Sequence, residues 1–308
     1  MKAKHLVSVS DLTKEDILEI FEWSELLKQR LEMGVQEHAL AGKALGMIFE
    51  KSSMRTRISF EVAIQQLGGY AIFDSGNFGL GEREAIKDVG KVMSRHVDGI
   101  VIRTFHQKNV KELARHSSIP VINGLSDSLH PCQALADVFT VKEKFGSLDG
   151  IRIAFIGDGN NVARSLAIAC AKLGLKFTIA TPRGHELETR LTERLKKAAG
   201  KNGFSIRQVR DPKKAVQNAQ IIYTDVWTSM GQEAEAKNRL EIFKPFQVNQ
   251  DLLAAAPGEA LVMHCLPAHR GDEITNEVID GPASIVYDQA ENRLHVQKAI
   301  LRLLMGAE

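Results

Sequence analysis

Short apolar runs of strand length alternate with helical stretches along almost the whole chain, and this alternation constrains the fold more than any single motif. Repeated strand–helix units favour parallel sheets flanked by helices. The first helix follows Thr13, with Asp16 three residues on as an imperfect capping box. Strands are predicted at Ala44–Phe49, Tyr70–Phe73, Gly99–Ile102 and Pro120–Ile122, with helices at Arg57–Leu67, Ile86–His96, Val110–Arg115 and about Cys132–Phe145. The break Gly146-Ser147-Leu148-Asp149-Gly150 reads as a domain boundary, after which the pattern restarts. Strands follow at Ile151–Ile156, Lys176–Ala180, Ser205–Val209, Gln220–Tyr223, Ala260–Met263 and Ser284–Tyr287. Helices are predicted near Asn161–Leu173 and Leu187–Ala199, with a closing helix at Glu291–Met305.

The 308 residues suggest two domains at ~150 residues each. We expect domain 1 over 1–147 and domain 2 over 148–290, with the closing helix 291–308 packing back on the first. The expected class is α/β, two open parallel-sheet domains with the active site in the crevice between them. A hydrophobic content of 44% with 25% charged residues excludes a disordered chain, a collagen and a coiled coil. Forty Lys+Arg against 38 Asp+Glu create no field that would mark a nucleic-acid binder. Three scattered cysteines make no disulfide framework. No apolar stretch approaches the ~18 residues of a membrane span, and the N-terminus lacks an export signal. The expectation is a cytoplasmic enzyme with neither nucleic-acid nor membrane partner.

Gly157-Asp158-Gly159 follows a predicted strand and opens a helix, as a dinucleotide-binding turn does. The third glycine of that fingerprint is Val162, and the ribose-binding acid is missing at Ala180-Thr181-Pro182. A nicotinamide-dependent oxidoreductase is therefore the out-of-class alternative, and a tight turn that faces Asn160 and Asn161 into a crevice is preferred. Lys51-Ser52-Ser53-Met54-Arg55-Thr56-Arg57 lies directly after a strand and opens a helix. Free N–H groups, hydroxyls and two planar guanidinia at one helix N-terminus suit an oxyanion. Arg103 ends an apolar strand, where a crevice would use it. His130-Pro131-Cys132-Gln133 opens a helix with a carbonyl-directed His and an amide. His264, Cys265 and His269 hint at a metal, but no second half of a zinc site is evident, so we expect none. Cys170 shares an apolar helix face with Val162, Leu166 and Leu173 and reads as core. The connection Asp225–Asn238 is long and polar, as functional loops often are.

Together these segments resemble the aspartate/ornithine transcarbamoylase family. Its S-x-R-T-R motif matches Ser53-Met54-Arg55-Thr56-Arg57, its H-P-x-Q motif matches His130 to Gln133, and its carbonyl-binding arginine matches Arg103. Asp225-Val226-Trp227-Thr228-Ser229-Met230-Gly231, His264-Cys265-Leu266-Pro267 and Arg293 point to the ornithine branch. The resemblance spans essentially the whole chain. It implies a homotrimer, no cofactor, and carbamoyl transfer from carbamoyl phosphate to the δ-amine of L-ornithine, giving citrulline in arginine biosynthesis or catabolism. Putrescine, N-acetylornithine and aspartate are the alternative acceptors. It further implies that Ser53, Met54, Arg55, Thr56 and Arg57 bind phosphate, and that Arg103, His130 and Thr56 meet the carbonyl oxygen. Gln133, Cys265 and Leu266 would take the carbamoyl NH₂, Arg293 would face carbamoyl phosphate, and Cys265 would position the amine. Asn161, Asp225, Ser229 and Met230 would hold ornithine. Three departures stand out: Met54 and Cys132 where threonine is commoner, and Gly79 where many relatives carry a cross-subunit Gln, with Arg83 a possible substitute.

Overall fold

The computed structural model describes residues 1–74, 80–81, 83–228 and 235–306. The chain forms two compact units, Met1–Phe139 with Glu291–Glu308, and Thr140–Ala290. The predicted Gly146–Gly150 break lies inside the second of these. No helix among the described residues is long and apolar enough to cross a membrane.

The first unit opens with α1 (Lys14–Glu32), whose start is a complete capping box: Thr13 Oγ1 accepts from Asp16 N at 3.1 Å and Asp16 Oδ2 accepts from Thr13 N at 2.9 Å. Then β1 (Ala44–Phe49), α2 (Met54–Gln66), β2 (Tyr70–Asp74), α3 (Ile86–His96), β3 (Gly99–Arg103), α4 (Gln107–His116) and β4 (Val121–Leu125) alternate before α5 (Pro131–Phe145). The sheet is parallel in the order β2-β1-β3-β4. All six residues of β1 are buried, as helices on both faces of a parallel sheet require. The helix predicted from Arg57 begins earlier, at Met54, because Ser53 caps it.

The second unit contains β5 (Arg152–Ile156), α6 (Asn161–Leu173), β6 (Lys176–Ala180), α7 (Thr189–Ala199), β7 (Ser205–Val209), α8 (Pro212–Val216), β8 (Ile221–Thr224), α9 (Ala236–Phe243), α10 (Gln250–Leu253), β9 (Leu261–His264) and α11 (Asn276–Ile279). Its sheet is also parallel, ordered β7-β6-β5-β8-β9. Phe155 on β5 stacks on Tyr223 with ring centroids 5.2 Å apart, both side chains fully buried. The closing helix, α12 (Val286–Met305), begins five residues before the predicted Glu291 and absorbs half of the expected Ser284–Tyr287 strand. That segment keeps only one bridge to β9, with Ile285 N donating to Val262 O and Val262 N to Ala283 O. Helix formation from Val286 onward overrides the β-branched composition of so short a run.

Each sheet reverses its winding direction once. In the first the reversal separates β1 from β3, whose last residues Phe49 and Arg103 are in register. In the second it separates β5 from β8, with Ile156 beside Thr224. Ligands in open α/β sheets bind at such points, beyond the carboxyl ends of the strands. The turn after β5 is unusually tight. Gly157 has φ +134°, and a Cβ on Gly159 would lie 2.8 Å from the backbone of His185 to Leu187. The glycine pair thus serves close packing of this turn. Gly159→Ala is expected to destabilise the protein by about 1–3 kcal/mol, lowering the melting temperature by several degrees in a thermal scan.

Candidate active site

In the first unit, the ends of β1 and β3 deliver the S-x-R-T-R segment and Arg103 to the reversal point. Ser53 caps α2, its Oγ accepting from Thr56 N at 3.3 Å and donating to Thr56 Oγ1 at 3.1 Å. Thr56 Oγ1 in turn accepts from Arg293 Nη2 at 3.0 Å, while Arg293 Nη1 donates to Gln133 Oε1 at 2.8 Å. Gln133 lies in the first turn of α5 and donates from Nε2 to Asp137 Oδ1 at 2.8 Å. Thr56, Gln133, Asp137 and Arg293 are all buried.

Cations gather around this network. Burial first, and then the charges of Arg293 and Arg55, push the Arg103 guanidinium down to about 10. Burial, Arg293 and Arg103 likewise hold the His130 imidazole well below its usual value of 6.5. Arg103 Nε is buried without a hydrogen-bond partner among the described residues. Buried like charges are costly without compensation, so the cluster is organised for an anion at the helix start.

Arg57 is placed differently from the other arginines singled out in the sequence. Its Nε pairs with Glu61 at 2.9 Å and its guanidinium lies 3.9 Å from the Phe73 ring centroid. The Met54 side chain is 68% exposed, which leaves its backbone N–H as the group available at the helix N-terminus. Cys132 is buried with Sγ 3.5 Å from Asn123 O, and burial pushes its thiol up to about 12, so it stays protonated. Arg83 is exposed. Gly79 lies outside the described residues.

In the second unit, Asp225 follows β8 at the other reversal point. Its Oδ2 accepts from Asn160 Nδ2 at 2.7 Å, and its Oδ1 accepts from Val226 N at 2.8 Å and from Cys265 Sγ at 3.0 Å. Asn160 also caps α6, accepting from Val162 N and Ala163 N. Asn161, the first residue of α6, is half-buried. Ser229 and Met230 lie outside the described residues.

The segment after β9 carries Cys265 and Leu266, the latter with left-handed backbone at φ +57°. Ligand atoms of Asp225, His264 and Cys265 lie within 4.8 Å of one another. His264 is committed elsewhere, however: Nδ1 accepts from Leu266 N at 2.9 Å, and Nε2 faces the buried Glu273 Oε1 at 3.0 Å. An Nδ1 lone pair used by a backbone N–H is not offered to a metal, so the arrangement reads as a hydrogen-bonded turn that presents Cys265 to Asp225.

Residues outside the sequence motifs complete the setting. Asp137 was legible only as the i+4 partner of Gln133, and Glu273 only as a nearby acid. Asp158, between the two glycines, pairs with the buried Arg239 of α9, whose Nε donates to Trp227 O. The turn after β5 thus touches the segment after β8 at Asp225, through Asn160, and at Trp227, through Asp158 and Arg239.

Comparison with known proteins gives a consistent result. Residues 4–143 match the family model "Aspartate/ornithine carbamoyltransferase, carbamoyl-P binding domain", and residues 149–304 match the corresponding "Asp/Orn binding domain". The chain is 51% identical to the ornithine carbamoyltransferase of Methanopyrus kandleri, over 99% of this chain and 98% of that protein. It is 52% identical to that of Syntrophus aciditrophicus, over 98% and 99%. The solved structure of the Pyrococcus furiosus ornithine carbamoyltransferase superposes with a TM-score of 0.95 at 50% identity, covering 99% of this chain and 97% of that one. With both halves matched by the same family and full-length relatives at half identity, the chain belongs to the aspartate/ornithine carbamoyltransferase family.

Proposed function

We propose that this protein transfers the carbamoyl group of carbamoyl phosphate to the δ-amine of L-ornithine, giving L-citrulline and phosphate. The observation that carries this is the convergence of Arg55, Arg103, Arg293 and the neutral His130 around a capped helix N-terminus. The names of the full-length relatives support the same activity, one of them carrying the designation anabolic.

The chemistry sets three demands: the amine must be neutral, although a free alkyl amine has a pKa near ~10.4, the carbonyl oxygen must accept negative charge, and phosphate must leave. In the first unit, Ser53, the Met54 N–H, Arg55 and Thr56 hold the phosphate at the start of α2. Arg57, tied to Glu61 and Phe73, takes the flank of that helix. Arg103, His130 and Thr56 supply donors to the carbonyl oxygen as charge develops on it. A neutral imidazole donates one N–H without adding to the local positive charge. Arg293 stays braced between Thr56 and Gln133, and Gln133 takes the carbamoyl NH₂ together with the Cys265 and Leu266 backbone.

In the second unit, Asp225 holds the α-ammonium of ornithine, with Asn161, Ser229 and Met230 at the α-amino and α-carboxylate groups. Cys265, already donating to Asp225, positions the δ-amine and forms no covalent intermediate. The rate then comes from positioning and electrostatics. The first unit is accordingly the carbamoyl phosphate-binding domain with α12 returning to it, and the second the ornithine-binding domain. Met54, Ile58, Tyr70 and Ile72 are large apolar side chains left exposed on α2 and the edge strand β2. They favour self-association; the family resemblance implies a homotrimer, a cytoplasmic one given the sequence, and light scattering is expected to read three times the 34.0-kDa chain.

An acceptor panel with carbamoyl phosphate, reading ureido product, tests the function. Ornithine is expected to exceed putrescine, N-acetylornithine and aspartate; preference for another acceptor overturns the reading. Arg55→Ala is expected to raise the carbamoyl phosphate KM at least tenfold, since removing one partner of a buried ionic pair costs ~2–5 kcal/mol. Asp225→Asn is expected to weaken ornithine use far more than carbamoyl phosphate use, which steady-state kinetics on both substrates resolves. Because His130 is held well below 6.5 in the free enzyme, kcat/KM for ornithine is expected to climb with pH as the amine deprotonates. A pH–rate profile is expected to have no inflection near 6.5. Cys265→Ser is expected to lower turnover in a folded enzyme. Mass spectrometry of the parent mixed with carbamoyl phosphate alone is expected to find no adduct on Cys265.

A further inference from the structure

Asp137 is 1% exposed, and no motif assigned it a role. It sits on α5 one turn beyond Gln133, and its Oδ1 accepts from Gln133 Nε2 at 2.8 Å. On a helix surface such an i,i+4 pair stabilises only weakly. Burying a carboxylate costs far more than that, so helix stabilisation is a poor account of this one. The two ends of a glutamine amide have nearly the same shape, and only their hydrogen-bond partners decide which way it points. In the structure the Gln133 nitrogen faces the Asp137 carboxyl, with Oδ1 accepting from it, which turns Oε1 toward Arg293, where it accepts from Nη1 at 2.8 Å. A carbonyl oxygen has two lone pairs, and Arg293 uses one.

We propose that Asp137 is a positioning residue for carbamoyl transfer: it fixes the Gln133 amide so that Oε1 both braces Arg293 and keeps a lone pair for the carbamoyl NH₂. This rests on the reading that Gln133 contacts carbamoyl phosphate. The chain from Asp137 through Gln133 and Arg293 to Thr56 then sets the polarity of four buried groups from one end. With an amide in place of the carboxylate, position 137 can donate as well as accept. Gln133 is then free to turn its NH₂ toward Arg293, donor against donor, and toward the carbamoyl NH₂.

The test is a double-mutant cycle of Asp137→Asn and Gln133→Ala, read as KM for each substrate, kcat and melting temperature. Asp137→Asn is expected to raise the carbamoyl phosphate KM about tenfold, the size of one mispaired buried polar group. The ornithine KM is expected to change less than about twofold, with the fold intact by thermal melting. In the Gln133→Ala background the same substitution is expected to add almost nothing, because Asp137 acts through Gln133. An unchanged KM in Asp137→Asn overturns the proposal, as does an equal fold-loss with and without Gln133. The underlying reading fails separately, by a Gln133→Ala enzyme whose carbamoyl phosphate KM matches the parent's. If Asp137→Asn does not fold, Asp137→Ser, small enough to admit a water, takes its place in the cycle. Failure of both to fold makes Asp137 structural and ends the proposal.

Discussion

In a parallel sheet every strand-to-helix turn leaves at the same edge, and only where the winding reverses do two neighbouring turns part to leave an opening. Both units of this protein are built on that constraint. In the first, the turns that part follow β1 and β3, bringing the capped start of α2 beside Arg103. In the second, they follow β5 and β8, bringing Asn160 beside Asp225. The chemistry-bearing residues are scattered over more than two hundred positions of sequence, yet in each unit they collect at one place because the topology offers one. β9 adds Cys265 to the second opening for the same reason, lying next to β8 in register.

The first opening is dominated by charge. Guanidinia and an imidazole share a buried region, and burial first, then the charges of neighbouring guanidinia, lowers both Arg103 and His130. Arg293 donates to a threonine hydroxyl and a glutamine carbonyl, and the Asp137 carboxyl lies one residue further along that chain of bonds. Buried cations gathered in this way suit an anionic ligand. In the second opening a single carboxylate, Asp225, gathers an amide, a backbone N–H and a thiol. The two openings thus present groups of opposite sign, which fits the proposed phosphate donor and ammonium-bearing acceptor.

Much of this was legible in the sequence because it rests on local signals. Hydrophobic periodicity marked the strands and most helices. The missing third glycine at Val162 argues against dinucleotide binding. Tertiary context decided what local signals could not. The run at Ser284 to Tyr287 has strand composition but joins α12, since only one bridge to β9 is made there. Arg55 and Arg57 are indistinguishable as motif members, yet Glu61 and Phe73 claim Arg57. His264 and Cys265 resemble metal ligands in one dimension, and Leu266 N with Glu273 accounts for both nitrogens of His264 in three.

The sequence by itself determined the alternation of strands and helices, the residue types available at each strand end, and the family. Those follow from periodicity, caps and spacing, which are properties of neighbouring residues. Tertiary structure alone decided which of those residues meet. Gln133 and Arg293 lie 160 positions apart, and Thr56 and Arg293 lie 237 apart. No local propensity encodes such a pairing. It exists because α12 carries Arg293 back into the first unit, where a buried guanidinium must find acceptors or leave its hydrogen-bonding capacity unmet.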